Sequence, residues 1–245
     1  TYQVIRNHLM GYDPKKKTRN GQHPDFTIGI YPMLQDETCW FLAADFDKES
    51  WLSDVKAFLE TCQRKQVSAV LERSRSGQGG HIWVFFSEPI PVVLARKLGS
   101  LLLTETMERR PELGFESYDR FFPNQDTMPQ GGFGNLIALP FQRKPASNGN
   151  SLFLDADLKP YQDQWAFLSS IKRMRLDEVN HIVEDANRRG QILGVKMVLD
   201  DDGSAPWTLP PSRKRKDEFI DGPLPEQVSI VIGNQLYIEK EGLPP

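Results

Sequence analysis

Two aspartates separated by one residue, Asp45 and Asp47, close an apolar run, Cys39-Trp40-Phe41-Leu42-Ala43-Ala44. On an extended strand residues i and i+2 point to the same face, so both carboxylates share one surface while Phe46 turns to the core. Carboxylates this close repel unless a proton or a cation lies between them. Hard divalent ions take oxygen ligands, which makes Mg²⁺ or Mn²⁺ the natural neutraliser. A plain acidic turn after a strand would carry the same two residues with no ion.

A second station is Glu72-Arg73-Ser74-Arg75-Ser76-Gly77-Gln78-Gly79-Gly80-His81. Glycines let backbone approach a ligand closely, and successive free N–H groups cradle phosphate. Ser74 and Ser76 add hydroxyl donors, Arg73 and Arg75 add charge for a polyphosphate, and His81 opens the next strand within reach of a phosphate oxygen. A flexible hairpin loop is the bland alternative, and the Walker and Rossmann spacings are absent. The third station is Asp119, between Tyr118 and Arg120. An unpaired buried carboxylate is costly, so Asp119 either pairs with Arg120 or a nearby lysine, or joins Asp45 and Asp47 on the same metals. Asp126 is the competitor for that role. Arg143 and Lys144, after the apolar segment 136–141, are candidates for holding a triphosphate or simply a solvated strand end. The basic run Arg213-Lys214-Arg215-Lys216 could touch nucleic-acid backbone, but beside its prolines it reads as a solvated linker.

The elements that must position these residues follow from periodicity. Strands are expected over 27–34, 39–46, 69–72, 81–86, 115–122 and 135–141. Helices are expected over 50–64 with Ser50 as N-cap, over 91–108 with a proline in the first turn, and over 163–171 and 176–189. After Leu199 the chain turns acidic, then proline-rich and basic, and residues 228–232 and 235–238 suit a hairpin over Gly233-Asn234. This alternation of strands and helices indicates an α/β or α+β domain.

A chain of 245 residues suits one large domain or two small ones sharing a cleft. The net charge of −3 does not announce a nucleic-acid binder, nor does it exclude a basic groove offset by acidic surface elsewhere. Cys39 and Cys62 form no CxxC pair, which argues against a structural zinc site and a disulfide framework. Reduced thiols and a cytoplasmic location are expected. No apolar stretch approaches the roughly 20 residues needed to span a bilayer, and no signal-peptide core is present. A first residue of Thr1 suggests a piece of a longer chain.

In order, Ala44-Asp45-Phe46-Asp47, Ser76-Gly77-Gln78-Gly79-Gly80-His81 and Ser117-Tyr118-Asp119 resemble the three motifs of the archaeo-eukaryotic primase superfamily. The Ser-Gly-x-Gly-x-His turn is similar to that of the polymerase domains associated with bacterial end-joining ligases, with Gln78 where those often carry lysine. Cys39 to Asp47, Glu72 to Phe86, Tyr118 to Asp126 and Gly132 to Pro140 together resemble the primase domain of TOTE conflict systems. Those bacterial and mobile-element proteins join such a domain to a helicase and often a nuclease.

The resemblance implies an α+β (α/β) primase catalytic core with an RRM-like antiparallel sheet and an N-terminal α/β subdomain forming a cleft. Residues 1–200 would be that catalytic domain, as two interleaved subdomains, and 201–245 a linker and hairpin leading towards a helicase region. It implies a DNA or RNA primase-polymerase that adds nucleotides from NTP or dNTP to a 3′-hydroxyl on a nucleic-acid template, with or without de novo priming. Asp45, Asp47 and Asp119 would bind two Mg²⁺ or Mn²⁺ ions. Ser74, Ser76, Gly77, Gly79, His81 and Arg143 would bind the nucleotide. Two other readings share parts of the pattern: a Mn²⁺-dependent glycosyltransferase, which would not need Asp119, and a non-catalytic nucleic-acid-binding module.

Overall fold

The computed structural model describes residues 2–112, 115–128, 132–189, 229–232 and 235–238. Its centre is a five-stranded sheet built from β2 (Thr38–Phe46), β3 (Val70–Arg73), β4 (Gly80–Pro91), β5 (Tyr118–Phe122) and β7 (Phe153–Leu154). The strand order is β5-β2-β4-β3-β7, and every neighbouring pair is antiparallel. The protein is therefore α+β, with the antiparallel sheet expected from the motifs. A smaller two-stranded sheet pairs β1 (Gly29–Ile30) with β6 (Ile137–Ala138).

Alternation along the central strands gives the sheet two different faces. Leu42, Ala44, Phe46, Ile82, Val84 and Phe86 point to one side, against α2 (Trp51–Arg64), α3 (Val92–Arg109) and α6 (Leu176–Arg188). Each helix brings an apolar stripe, such as Val55, Phe58 and Cys62 on α2 or Val179, Val183 and Ala186 on α6. α3 is buried over more of its circumference because it lies against α2, α6 and β2 together. Gly99 lets it sit close: a Cβ there would lie 2.9 Å from the Phe121 ring. Phe41, Ala43, Trp83, Phe122 and Phe153 point to the other side and form a second cluster with Ile137. Asp45, His81 and Glu72 continue that second face, so the acids and the apolar cluster share one surface.

Several elements differ from the periodicity reading for identifiable reasons. β1 and β6 are two residues long instead of seven or eight, since Pro32 follows β1 and Pro140 follows β6. β4 runs on to Pro91, past the expected end at Phe86, because Cys39 and Thr38 pair with Ile90 and Pro91 across an irregular register. β5 starts at Tyr118 rather than Phe115, whose φ of +49° interrupts extended chain. Ser50 occupies the N-cap of α2, yet its hydroxyl donates to the Asp54 carboxylate at 2.9 Å instead of capping backbone. Asp163 does cap α5 (Gln164–Ser170), accepting from the Trp165 and Ala166 amides. β7 and α4 (Arg143–Ser147) have no counterpart among the elements expected from periodicity. β8 (Ser229–Ile232) and β9 (Gln235–Ile238) pair antiparallel as the hairpin reading requires, while the linker at 201–228 lies outside the described residues.

Both cysteines are free and buried. Burial pushes the Cys39 thiol up to about 12 and raises Cys62 as well, so both are inert at neutral pH.

Candidate active site

Asp45 is the last outward-facing residue of β2, and its cross-strand partners are His81 on β4 and Arg120 on β5. Asp47 follows the strand end; its amide donates to the Ser117 carbonyl at 2.7 Å, tying it to the chain that enters β5. Ser117 is held in turn by the buried Asp54 of α2, whose Oδ2 accepts from the hydroxyls of Ser50 and Ser117. The segments carrying Asp47 and Asp119 are thus anchored to each other and to α2.

Asp119 owes its position to a β-bulge. Asp45 pairs with Arg120 and Phe46 pairs with Tyr118, which leaves Asp119 as the extra residue. Strict alternation from Phe122 back would turn Asp119 into the helix-covered core and Tyr118 out of it. The bulge exchanges them: Tyr118 packs beside Phe46 and Phe121, and Asp119 is 39 % exposed. Its carboxylate accepts from Arg120 Nε at 2.6 Å, so the ion-pair reading of this residue is realised. Its charge nonetheless reaches Asp45. Asp126 is engaged elsewhere, in an ion pair with Arg96 of α3.

Electrostatics mark Asp45 as the centre of this group. Burial is the main cause holding its carboxyl above the usual range; His81 opposes that shift, and the charges of Asp119 and Asp47 reinforce it. For His81 burial alone would depress the imidazole, but its hydrogen bond to Glu72, the Glu72 charge and then Asp45 lift it above its ordinary value. His81 Nε2 lies 3.5 Å from Asp45 Oδ1, and Nδ1 lies 3.1 Å from Glu72 Oε2.

The glycine-rich turn closes over these acids. Ser74 accepts from the Gly77 amide at 3.0 Å to make a tight turn, with Gly77 at φ +79°. Gly79 approaches β2 so closely that a Cβ would lie 2.5 Å from the Phe46 carbonyl and 3.2 Å from Asp47 Cα. The Ser74 and Ser76 hydroxyls face each other at 3.1 Å. Together Asp45, Asp47, Ser74, Arg75, Ser76, Gly79 and His81 line a cleft of about 500 Å³. Small-molecule sites span roughly 300–1,000 Å³.

Of the residues singled out from the sequence, Asp45, Asp47, Ser74, Ser76, Gly79 and His81 therefore meet at the cleft, while Asp119, paired with Arg120, is not among its lining residues. Gly77 does not line the cleft; a Cβ there would lie 2.7 Å from Asn150 Oδ1, so this glycine serves the turn. Arg143 opens α4 at an exposed position and does not line the cleft; the arginine that does is Arg75. Arg75 is steadied by Asp25 and Thr27, and Gln142 Nε2 fixes that segment by donating to Asp25, Phe26 and Thr27. The pairing of Glu72 with His81 is a further contact absent from the expectations above. Counting outward from the six-residue loop 74–79 pairs Arg73 with Gly80 and Glu72 with His81, so the signal was present.

Among the described residues no three His, Cys, Asp or Glu side chains are drawn into a ready-made metal cluster. The three aspartates still offer the donor type that a hard divalent ion takes, carboxylate oxygen, and burial, reinforced by the charges of Asp119 and Asp47, holds Asp45 above its usual range. No helix among the described residues is long and apolar enough to cross a membrane.

A comparison with curated proteins finds no match. The family model for the archaeo-eukaryotic primase domain of TOTE conflict systems matches residues 1–182, which include the whole cleft. The chain belongs to that family, whose role is of the primase and nucleotidyltransferase kind.

Proposed function

We propose that the chain is a metal-dependent primase-polymerase that transfers nucleotides from NTP or dNTP to a 3′-hydroxyl on a nucleic-acid template. The bulge at Asp119 is the observation that carries this reading, because it spends strand regularity to bring a third carboxylate's charge onto Asp45. Asp45, Asp47 and Asp119 would hold two Mg²⁺ or Mn²⁺ ions. When bound, such ions lower the pKa of a 3′-hydroxyl and stabilise a pyrophosphate leaving group. The Ser74 and Ser76 hydroxyls, the Gly79 backbone, Arg75 and His81 would bind and orient the triphosphate, since phosphoryl transfer is largely positioning and charge stabilisation. Its proposed partners are the incoming nucleotide and a primer–template, with a helicase in the same full-length protein.

Primer extension with labelled nucleotides and Mn²⁺ tests the reading. Asp47→Ala and Asp119→Ala are each expected to lower the rate by about 100-fold or more, as for groups acting on developing charge. Persistent extension in both variants would overturn the mechanism. Primer–template binding without any extension by the wild type would instead identify a binding module.

A further inference from the structure

A buried carboxylate stands behind His81. Glu72 is 2 % exposed and lies directly across the hairpin from His81, with Phe153 opposite it on β7. Burying an ionised carboxylate among aromatic rings is costly unless donors surround it. Glu72 Oε2 accepts from Trp83 Nε1 at 2.9 Å and faces His81 Nδ1 at 3.1 Å, while Oε1 has the Ser151 hydroxyl at 3.5 Å. A leucine would fill this space at lower cost but could not accept a hydrogen bond from Nδ1.

The two ring nitrogens of a histidine are distinct, and the bond made by one decides what the other presents. With Nδ1–H committed to Glu72, Nε2 is the nitrogen that faces the cleft, on the side of Asp45. Trp83 completes the arrangement. Its indole N–H holds the same carboxylate oxygen, and its ring stands edge-on to the imidazole, with centroids 6.3 Å apart and planes at 85°.

We propose that Glu72 is a positioning residue: it fixes the His81 ring through Nδ1 so that Nε2 is presented to the phosphates of the incoming nucleotide, with Trp83 holding Glu72 in place. This rests on the reading of the cleft as a nucleotide site.

The test uses the full chain and measures KM and kcat for nucleotide incorporation in Glu72→Leu, Glu72→Gln, His81→Ala and the double variant Glu72→Leu/His81→Ala. Glu72→Leu is expected to raise KM for the nucleotide by about 10- to 100-fold, by analogy with the loss when the partner orienting a metal-bound histidine is removed, with a much smaller change in kcat. Glu72→Gln keeps an acceptor for Nδ1–H and should recover most of that loss. The double variant should be no worse than His81→Ala alone, because the two residues act through one contact. Additive losses, or an unchanged KM in Glu72→Leu, overturn the proposal. Should Glu72→Leu fail to fold, Glu72→Asp withdraws the carboxylate by one methylene and is expected to raise KM in the same direction. Histidine ¹⁵N spectra of the nucleotide-free protein give a readout independent of catalysis, with His81→Ala assigning the signal. A proton on Nδ1 of His81 is expected in the wild type, and its absence sinks the proposal whatever the enzyme does. A spectrum as expected beside a wild type that incorporates no nucleotide removes the function reading and the phosphate role with it, leaving only the orientation of the ring.

Discussion

His8 shows how strictly single side chains are specified in this fold. It is buried on α1 (Tyr2–Met10), its Nδ1 accepts from the Ile28 amide at 3.1 Å, and its Nε2 faces the Pro140 carbonyl at 2.9 Å. One nitrogen must accept and the other donate, which only the neutral ring can do. Burial is the main cause lowering its pKa below the ordinary 6.5, partly opposed by its backbone bonds to Pro140 and Leu139. The unfolded chain therefore takes up a proton near that ordinary value while the folded chain resists it. Stability from His8 is complete above that value and declines as pH falls from it towards the depressed folded value. Urea midpoints measured from about pH 7.5 down to about pH 5.5 should fall more steeply for the wild type than for His8→Gln. Equal slopes would show that His8 carries no such linkage. At this scale the sequence was informative about Asp45, Asp47 and His81, because strand alternation and a tight turn are local rules. Glu72, Arg75 and Gln142 were harder to read: their roles depend on partners 9, 50 and 117 positions away.

Elements tell a parallel story. β2, α2 and α6 follow their hydrophobic period closely, since each buries one face in the same core. β1, β6 and β7 are two-residue strands whose pairing is entirely non-local, so no period could form. The bulge in β5 was equally illegible, for it exists only relative to the register with β2. The contact between the glycine-rich turn and β2 makes an element-scale prediction. In Gly79→Ala the new methyl meets the Phe46 carbonyl, which is backbone in the central strand and cannot swing aside. The turn must lift away from Asp47. Such overpacking costs about 1–3 kcal/mol, and a displacement near 1 Å at a reacting centre can cost about 100-fold in rate. Extension assays should show the larger effect, with chemical denaturation showing only the modest one; wild-type activity in Gly79→Ala would mean that the turn does not register the site.

For the whole molecule, both hydrophobic clusters are built from residues between Met33 and Val183, one on each face of the sheet. The family match over residues 1–182 covers nearly all of them. A fragment ending at Arg189 is therefore expected to unfold in one cooperative transition and to keep the near-ultraviolet circular dichroism of packed aromatic rings. A broad, non-cooperative melt of that fragment would show that later residues complete the core. A mixed class, α/β or α+β, was legible from the periods and an antiparallel sheet was implied by the motifs, but the order β5-β2-β4-β3-β7 was not legible, since it is set by contacts between strands far apart in sequence.

The two-faced character of β2 has a consequence for how the gene can change length. Its even-numbered residues from Leu42 to Phe46 belong to the helix-covered core, and its odd-numbered ones from Phe41 to Asp45 to the opposite face. One codon gained or lost within that stretch would send every side chain beyond it to the wrong side, burying carboxylates and exposing a phenylalanine. Substitutions there can be graded, but insertions and deletions cannot. The exposed loop at 14–22 carries no such parity and is where length variation should be absorbed.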